Sequence, residues 1–139
     1  MRLIVMPGLP ALLGLFWLLG NGGSQAAEWV PVSQISQNIR EVDKTSIQGT
    51  RPSLAFTSRH VIEDAAELTL GRHSVKYLVM WQRVDCTKRT TVTLSTEAQR
   101  ADMSPISRQK LVAQEETPVL KGSVDEDILK FVCGAESLH

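Results

Sequence analysis

The sequence predicts an α+β domain, in which a small antiparallel β-sheet is packed by a C-terminal α-helix. Most of the chain after residue 28 consists of short apolar stretches separated by turn-forming residues, as in β-rich proteins. Near residue 123 the spacing of the apolar residues changes to a helical period. The two cysteines fall at the end of the longest predicted strand and in the last turn of the predicted helix, so that one disulfide would join the helix to the sheet.

The first 26 residues are predicted to be a secretory signal peptide. Arg2 precedes an apolar run at 11–19, and this run is shorter than the roughly 20 residues that cross a bilayer. Ser24 and Ala26 supply the two small residues that signal peptidase requires, which predicts cleavage between Ala26 and Ala27. Cleavage one residue later and an uncleaved N-terminal anchor remain as alternatives.

Removal of 26 of the 139 residues leaves 113, which form a single predicted domain at 27–139. Only one charged residue, Arg2, is lost, so the 15 basic and 15 acidic residues become 14 and 15, with a net charge of −1. This balance argues against a nucleic-acid partner and against binding to an anionic membrane surface. No membrane span is predicted once the signal peptide has been removed.

The strands are predicted from apolar stretches and their punctuation. They lie at residues 29–32, 39–43, 53–58, 68–70, 75–86, 89–95 and 109–113. Pro31 indicates that the first is an edge strand, because proline cannot donate to the ladder of a central strand. Polar residues after residue 43 end the second strand, and the last strand has the weakest pattern.

The strongest element is the predicted strand at 75–86. One face carries Val75, Tyr77, Val79 and Trp81, and the other carries Leu78, Met80 and Val84. Apolar residues on both faces favour a central strand that is covered on both sides, or one that is flanked by a helix. The next segment, 89–95, is predicted to pair with it through a turn at 86–88, with Val92 and Leu94 facing inward and the threonines outward.

The helix is predicted from its start signal, its apolar face and its end. Ser123 lies three residues before Glu126, which is the spacing of a capping box, and the acidic residues at 125–127 complement the helix dipole. The predicted buried face consists of Val124, Ile128, Phe131 and Val132. Gly134 is predicted to end the helix.

Cys86 and Cys133 are predicted to form a disulfide, because an exported protein with two cysteines most often pairs them. The two cysteines are 47 positions apart, and closing a loop of that length stabilises a domain by about 4 kcal/mol in the chain-entropy model. Two buried thiols, or half of a metal site, are the competing interpretations. The chain has no C-x-x-C motif and no histidine at ligand spacing from either cysteine.

No catalytic, cofactor or metal site is predicted. The sequence has no G-x-S-x-G, P-loop or calcium-loop motif, and the cysteines are assigned to the disulfide. His60 and His73 are interpreted as strand-edge or surface residues, and His139 as a frayed end. The predicted protein is therefore not an enzyme.

One cluster of residues is a candidate partner-binding patch. Arg83, Lys88 and Arg89 flank the predicted turn at Cys86, and Arg83 shares a strand face with Trp81. Arginine and tryptophan are enriched among the residues that dominate protein interfaces. The alternative is a set of ordinary solvated charges at a strand end.

Several spaced residues resemble the surface-adhesin protein E family of Gram-negative bacteria. They are Trp29, then Asp43 with Ser46 and Ile47, then Asp85 and Cys86 followed by Lys88 and Arg89, and finally Cys133. The resemblance implies an antiparallel sheet, a C-terminal helix and a bridge between the two cysteines. It also implies a surface protein that binds host matrix and serum proteins and can form a homodimer.

The sequence and the resemblance together predict an exported, non-enzymatic binding module of the bacterial cell envelope. It would be adhesin-like, would act in the periplasm or at the cell surface of a Gram-negative bacterium, and would bind a host matrix protein or an envelope protein. The alternative prediction is a periplasmic accessory or inhibitor protein that acts on another envelope protein.

Overall fold

The computed structural model describes residues 26–35, 38–64, 68–112 and 114–135 and confirms the predicted α+β class. Nearly all of the predicted signal peptide lies outside the described residues. The elements of the described chain are β1 (Trp29–Ile35), β2 (Asn38–Asp43), β3 (Gln48–Thr50), β4 (Ser53–Ile62), β5 (Thr69–Leu70), β6 (His73–Ser74), β7 (Tyr77–Asp85), β8 (Thr90–Gln99), β9 (Pro105–Lys110), β10 (Thr117–Pro118) and α1 (Val124–Ala135).

Three long antiparallel strands, β4, β7 and β8, form the centre of the main sheet. The order across the sheet is β1-β2-β4-β7-β8-β10, with β3 paired to β4 and β9 paired to β8. Each outer edge of the three-strand centre is therefore shared by two shorter strands. The short strands β5 and β6 pair with each other in a separate hairpin.

The edge of β4 changes partner in the middle of the strand. Residues 53–55 pair with β3, and residues 58–62 pair with β2. Between them, the amide of Thr57 donates to Ser46 Oγ at 2.8 Å, and the same hydroxyl donates to the carbonyl of Asp43 at 2.6 Å. The side chain of Ser46 thus takes the place of a strand partner where the ladder is interrupted.

The sheet has two unlike faces, which we name by their position relative to α1. The inner face packs against α1, and the outer face lies opposite. Most of the buried side chains form a helix-side cluster between α1 and the inner face, consisting of Val42, Leu54, Phe56, Val84, Val119, Ile128, Leu129 and Val132. A smaller loop-side cluster of Ile62, Val75 and Ala98, with Leu68, Leu78 and Ile106 packed against it, lies further along the same face.

Polar side chains lie on the inner face between the two clusters. Ser58 is fully buried and donates its hydroxyl to Gln82 Oε1 at 2.6 Å, and Gln82 Nε2 lies 3.4 Å from Thr93 Oγ1. Nearby, the Arg40 guanidinium donates to the Met80 sulfur at 3.7 Å, and burial lowers the pKa of Arg40. We call Ser58, Gln82 and Thr93 the polar belt, because they cross β4, β7 and β8 in a row.

The start of α1 carries the predicted cap. Ser123 Oγ accepts the amide of Glu126 at 3.2 Å, and the Glu126 carboxylate accepts the amide of Gly122 at 3.3 Å. The same carboxylate lies 3.3 Å from Lys130 Nζ and 2.7 Å from a guanidinium nitrogen of Arg89. The Gly122 amide, the Lys130 ammonium and the Arg89 guanidinium together hold the pKa of Glu126 below its ordinary value.

The predicted disulfide is confirmed. Cys86 begins the turn that follows β7, Cys133 lies in the last turns of α1, and their Cα atoms are 6.0 Å apart. The amide of Cys86 also donates to the carbonyl of Pro52 at 2.8 Å, so the bridge is anchored close to the start of β4. The covalent bond therefore joins the C-terminal helix to the centre of the sheet.

The last strand is misplaced in the sequence prediction. The structure has β9 at Pro105–Lys110 instead of a strand at 109–113. Ile106 sets this position, because it packs into the loop-side cluster beside Ala98 of β8. The polar residues at 107–110 are exposed and so give no apolar signal of the strand.

The facing of β8 is also wrong in the sequence prediction. Val92 lies opposite Arg83 on the outer face, whereas Thr91 and Thr93 lie on the inner face opposite Val84 and Gln82. The polar belt explains the reversal, because Gln82 requires a hydroxyl partner on the inner face. The prediction for β7 is confirmed, since its odd-numbered and even-numbered residues take opposite faces as the pattern indicated.

The helix departs from the prediction in two small ways. It continues through Gly134 to Ala135, and its buried face includes Leu129, which the predicted face omitted. Val124 and Phe131 are only partly buried, whereas Ile128 and Val132 are fully buried.

We expect replacement of both cysteines by serine to lower the free energy of unfolding by about 4 kcal/mol, because the bridge closes a loop of 47 residues. Urea unfolding followed by tryptophan fluorescence would measure the change. The wild-type protein with its disulfide reduced is the matched control and should lose a similar amount. Unchanged unfolding midpoints would contradict the prediction.

We expect E126Q to unfold more easily than the wild type at neutral pH, because glutamine loses the ionic contacts to Lys130 and Arg89. The pKa of this carboxyl is lowered by folding, so its contribution is complete above the unfolded value of 4.5 and is lost as the pH falls through the folded value. The gap between the two proteins should therefore close in acid. Urea unfolding across this pH range measures it, with E115Q at an exposed loop position as the control. A gap that persists in acid would contradict the assignment.

Candidate functional site

The outer face of the sheet carries the amphipathic aromatic residues. In the described part of the chain, both tryptophans and the tyrosine (Trp29, Trp81 and Tyr77) lie on this face, as the strand registers show. Phe56 and Phe131, the two phenylalanines among the described residues, instead pack in or against the helix-side cluster. Tryptophan and tyrosine combine a large apolar surface with a polar group, so they are suited to a face that meets water.

Arg59 joins three strands on the outer face. Its guanidinium lies 4.1 Å from the ring centre of Trp29 and 4.4 Å from that of Tyr77. Its Nε also donates to a carboxylate oxygen of Glu41 at 2.5 Å. Only 12% of the Arg59 side chain is exposed, so stacking and the ion pair act where little water competes.

A second arginine that stacks on a tryptophan and pairs with a glutamate lies at the opposite side of the outer face, where it is more exposed to solvent. The guanidinium of Arg108 on β9 lies 4.4 Å from the ring centre of Trp81, and its Nε is 3.1 Å from Glu97 Oε2. The Arg108 side chain is 61% exposed, compared with 12% for Arg59. The first stack is therefore suited to stabilising the sheet, and the second leaves an arginine available to a partner.

A groove of about 490 Å³ opens beside Trp81. It is lined by Trp81, Arg83, Leu94, Ser95, Arg108, Lys110 and Gln114. A β-bulge shapes this region, because Trp81 and Gln82 pair with Ser95 and Thr93 and leave Leu94 as an extra residue in β8. Bulges re-aim side chains at sheet edges, and this one brings Leu94 and Ser95 together in the groove.

The structure brings only part of the predicted binding patch together. Trp81 and Arg83 line the same groove, and Arg83 also lines a neighbouring hollow of about 290 Å³ with Lys88. Arg89 is separate, because its guanidinium forms the ion pair with Glu126 of α1. The backbone of Arg89 has a φ of 55°, which lies in the left-handed region that residues adopt in turns.

Three cationic residues of the outer face escaped the sequence analysis. Arg59 lies inside a strand that was predicted too short, and Arg108 and Lys110 belong to the strand that was misplaced. The alternation of Arg108 and Lys110 is the signal that could have revealed them, because residues two apart share a face of a strand.

Groups that could support catalysis or metal binding do not gather in this site. Among the residues that the structure describes, no three histidine, cysteine, aspartate or glutamate side chains are placed to hold a metal ion. His73 lies in the small hairpin, where Arg100 Nη2 is 3.2 Å from its Nδ1, and His60 faces the interior opposite Arg40. Along the described stretches, no helix has both the length and the apolar composition that crossing a bilayer takes.

Comparison with known families decides the relationship of this chain. Residues 29–134 match the model of the family described as surface-adhesin protein E. The chain belongs to this family. None of the curated proteins matches its sequence.

Solved structures of Haemophilus influenzae protein E have a similar fold. One has a TM-score of 0.54 at 9% identity and covers 81% of this chain and 96% of its own. A second crystal form has a TM-score of 0.52 at 10% identity and covers 78% and 97%. Protein E from a non-typeable strain has a TM-score of 0.54 at 9% identity and covers 77% and 84%. At such low identity, these structures support the fold and do not define a binding site.

The residues that carry the protein E resemblance have structural roles in this chain. Asp43 Oδ1 accepts the amides of Glu28 at 2.9 Å and Thr45 at 3.0 Å, which shapes the turn after β2. Asp85 Oδ1 accepts the amides of Thr87 at 2.9 Å and Lys88 at 2.8 Å, which shapes the turn that begins at Cys86. These residues of the resemblance position the sheet edges and the disulfide, and they do not line the groove.

We expect R59K to lower the free energy of unfolding by about 1 kcal/mol or more, because lysine keeps the charge but cannot stack as a plane between Trp29 and Tyr77. R108K is the matched control and should cost less, because Arg108 is mostly exposed and stacks on one ring. Urea unfolding of the three proteins measures the difference. Equal losses would show that the enclosed stack has no special role.

Proposed function

We propose that this protein is an exported, non-enzymatic, adhesin-like binding module of a Gram-negative cell envelope, and that it contacts a host or envelope protein through the groove beside Trp81. The observation that carries this proposal is an open aromatic groove with two cationic residues, Arg83 and Lys110, that form no ion pair with any other described residue. Membership of the surface-adhesin protein E family supports the adhesin-like role.

The composition of the groove fits a protein interface. Interfaces are enriched in aromatic residues and arginine, and the groove contains Trp81, Arg83 and Arg108 around a single hollow. No ion pair joins Arg83 or Lys110 to another residue of the described chain. Their charges are therefore available to an incoming surface.

The groove offers little to an enzyme mechanism. Its described lining contains no histidine, cysteine, aspartate or glutamate, and Lys110 is the one side chain there of a type that can act as a general base. Ser95 is the one hydroxyl of the described lining, and Lys110 lies opposite it in the register of β8 and β9, but among the described residues no hydrogen bond joins the two side chains as in an activated serine. Recognition of a partner surface needs none of these groups.

The contact surface can be tested by adhesion. Cells that produce R83E should attach less well than wild-type cells to a surface coated with host matrix proteins, because the substitution reverses one of the free charges of the groove. R72E reverses an exposed arginine in the turn between β5 and β6, outside the groove, and should leave attachment unchanged. Equal loss in both variants, or loss in neither, would contradict the proposed contact surface.

The location separates the adhesin from the periplasmic accessory protein. We expect protease added to intact cells to degrade the protein, because an adhesin must be exposed outside the outer membrane. A periplasmic enzyme of the same cells serves as the control and should survive. Complete protection until the outer membrane is opened would replace the adhesin proposal with the accessory one. Size-exclusion chromatography of the purified protein would report whether it is a homodimer.

A further inference from the structure

We infer that the groove beside Trp81 binds an acidic, extended segment of its partner, which lies along β9 as an added strand. This inference rests on the proposed function, because it names the chemistry of the partner at the same surface. Three features carry it: the unbalanced charge of the groove, the spacing of its cations and the open edge of β9.

The charge of the groove is unbalanced because its described lining carries three cations, Arg83, Arg108 and Lys110, and no carboxylate. Glu97 Oε2 pairs with Arg108 at 3.1 Å, and Glu97 Oε1 accepts from Gln99 at 2.7 Å. In the adjoining hollow, Asp85 accepts two amides of its own turn, and Glu116 accepts the hydroxyl of Thr90 at 2.5 Å. These hydrogen bonds fix Asp85 and Glu116 in place but leave them charged, so the excess of positive charge lies in the groove, where Arg83 and Lys110 form no ion pair with another described residue.

The cations are spaced to meet an extended chain. Arg108 and Lys110 are two residues apart on β9 and share the outer face, where they lie opposite Glu97 and Ser95 of β8. Two residues of a strand span about 6.6 Å, and the alternate side chains of an extended segment repeat at the same interval. Carboxylates two residues apart in a partner segment would thus meet Lys110 and the exposed guanidinium of Arg108, whose Nε already pairs with Glu97.

The backbone of β9 can take a further strand. In the described chain β9 pairs with β8 on one side only, and five of its six residues are exposed. An unpaired edge presents amide and carbonyl groups to a chain in extended conformation. Main-chain hydrogen bonds would supply affinity, and the cations of the outer face would select the acidic side chains.

The floor of the groove adds an apolar requirement and favours a peptide over a sulfated polysaccharide. Trp81 on β7 and Leu94 on β8 form the apolar part of the groove, and a long apolar side chain of the partner segment would have to project back over β9 to meet them. The chain as a whole has equal numbers of basic and acidic residues, so a long polyanion would meet as many carboxylates as cations beyond the groove. The geometry therefore selects a short acidic segment.

A selection of random peptides displayed on phage would test this inference with the purified, oxidised protein as the target. The library is first depleted on R83E/K110E, so that the recovered peptides depend on the groove. We expect the recovered sequences to have carboxylates two residues apart and a nearby apolar residue. A synthetic peptide of this kind should bind R83E/K110E at least roughly tenfold more weakly than the wild type, and R72E/K121E as well as the wild type.

The outcomes separate this inference from the proposed function. Groove-dependent peptides that are neutral or basic would overturn the acidic partner and leave the groove as a contact surface. Recovery of no groove-dependent peptide would also overturn it, while adhesion that still depends on Arg83 would keep the proposed function. Heparin that binds the groove more tightly than every peptide would replace the peptide by a sulfated polysaccharide. Unchanged circular dichroism of R83E/K110E establishes that the variant is folded.

Discussion

The architecture depends on one helix, which covers a single face of the sheet, and on the disulfide that holds this helix in place. In the described chain α1 covers only the inner face, where Ile128, Leu129 and Val132 pack against the central strands. The disulfide holds this helix to the turn after β7, and the Glu126 carboxylate ties its first turn to Arg89 of the same turn. Both ends of the helix are thereby fastened to one hairpin, which suits a domain too small to rely on burial alone.

The outer face has to be stabilised without a helix, and the arginine stack does this. Val61 and Val79 are buried there because their cross-strand neighbours are the large side chains of Tyr77 and Arg59. Arg108 repeats the same contact on Trp81 at the edge, where its charge stays exposed. The same pair of residue types thus occurs once in a buried and once in an exposed setting, and in the proposed function only the exposed pair contacts the partner.

The general features of the fold could be predicted because they depend on local patterns. The alternation in β7, the cap at Ser123 and the pairing of Cys86 with Cys133 all follow from residue types at short spacing or from the exported context. The position of β9 and the facing of β8 could not, because they depend on contacts between strands. The groove was missed for the same reason, since the Leu94 bulge and the approach of β9 to Trp81 arise only when the sheet assembles.

The polar belt gives the sheet a means of rejecting misaligned pairing. A slip of two residues between β4 and β7 keeps every side chain on its own face, so burial of apolar surface alone opposes it only weakly. If Gln82 came to lie opposite Leu54 instead of Phe56, its amide would be separated from the hydroxyl of Ser58. A buried amide without its partner costs about 1–3 kcal/mol. The side chains of the polar belt thus favour the native register of β4 and β7. A register shifted by two residues would bury a similar amount of apolar surface but would lose their hydrogen bonds.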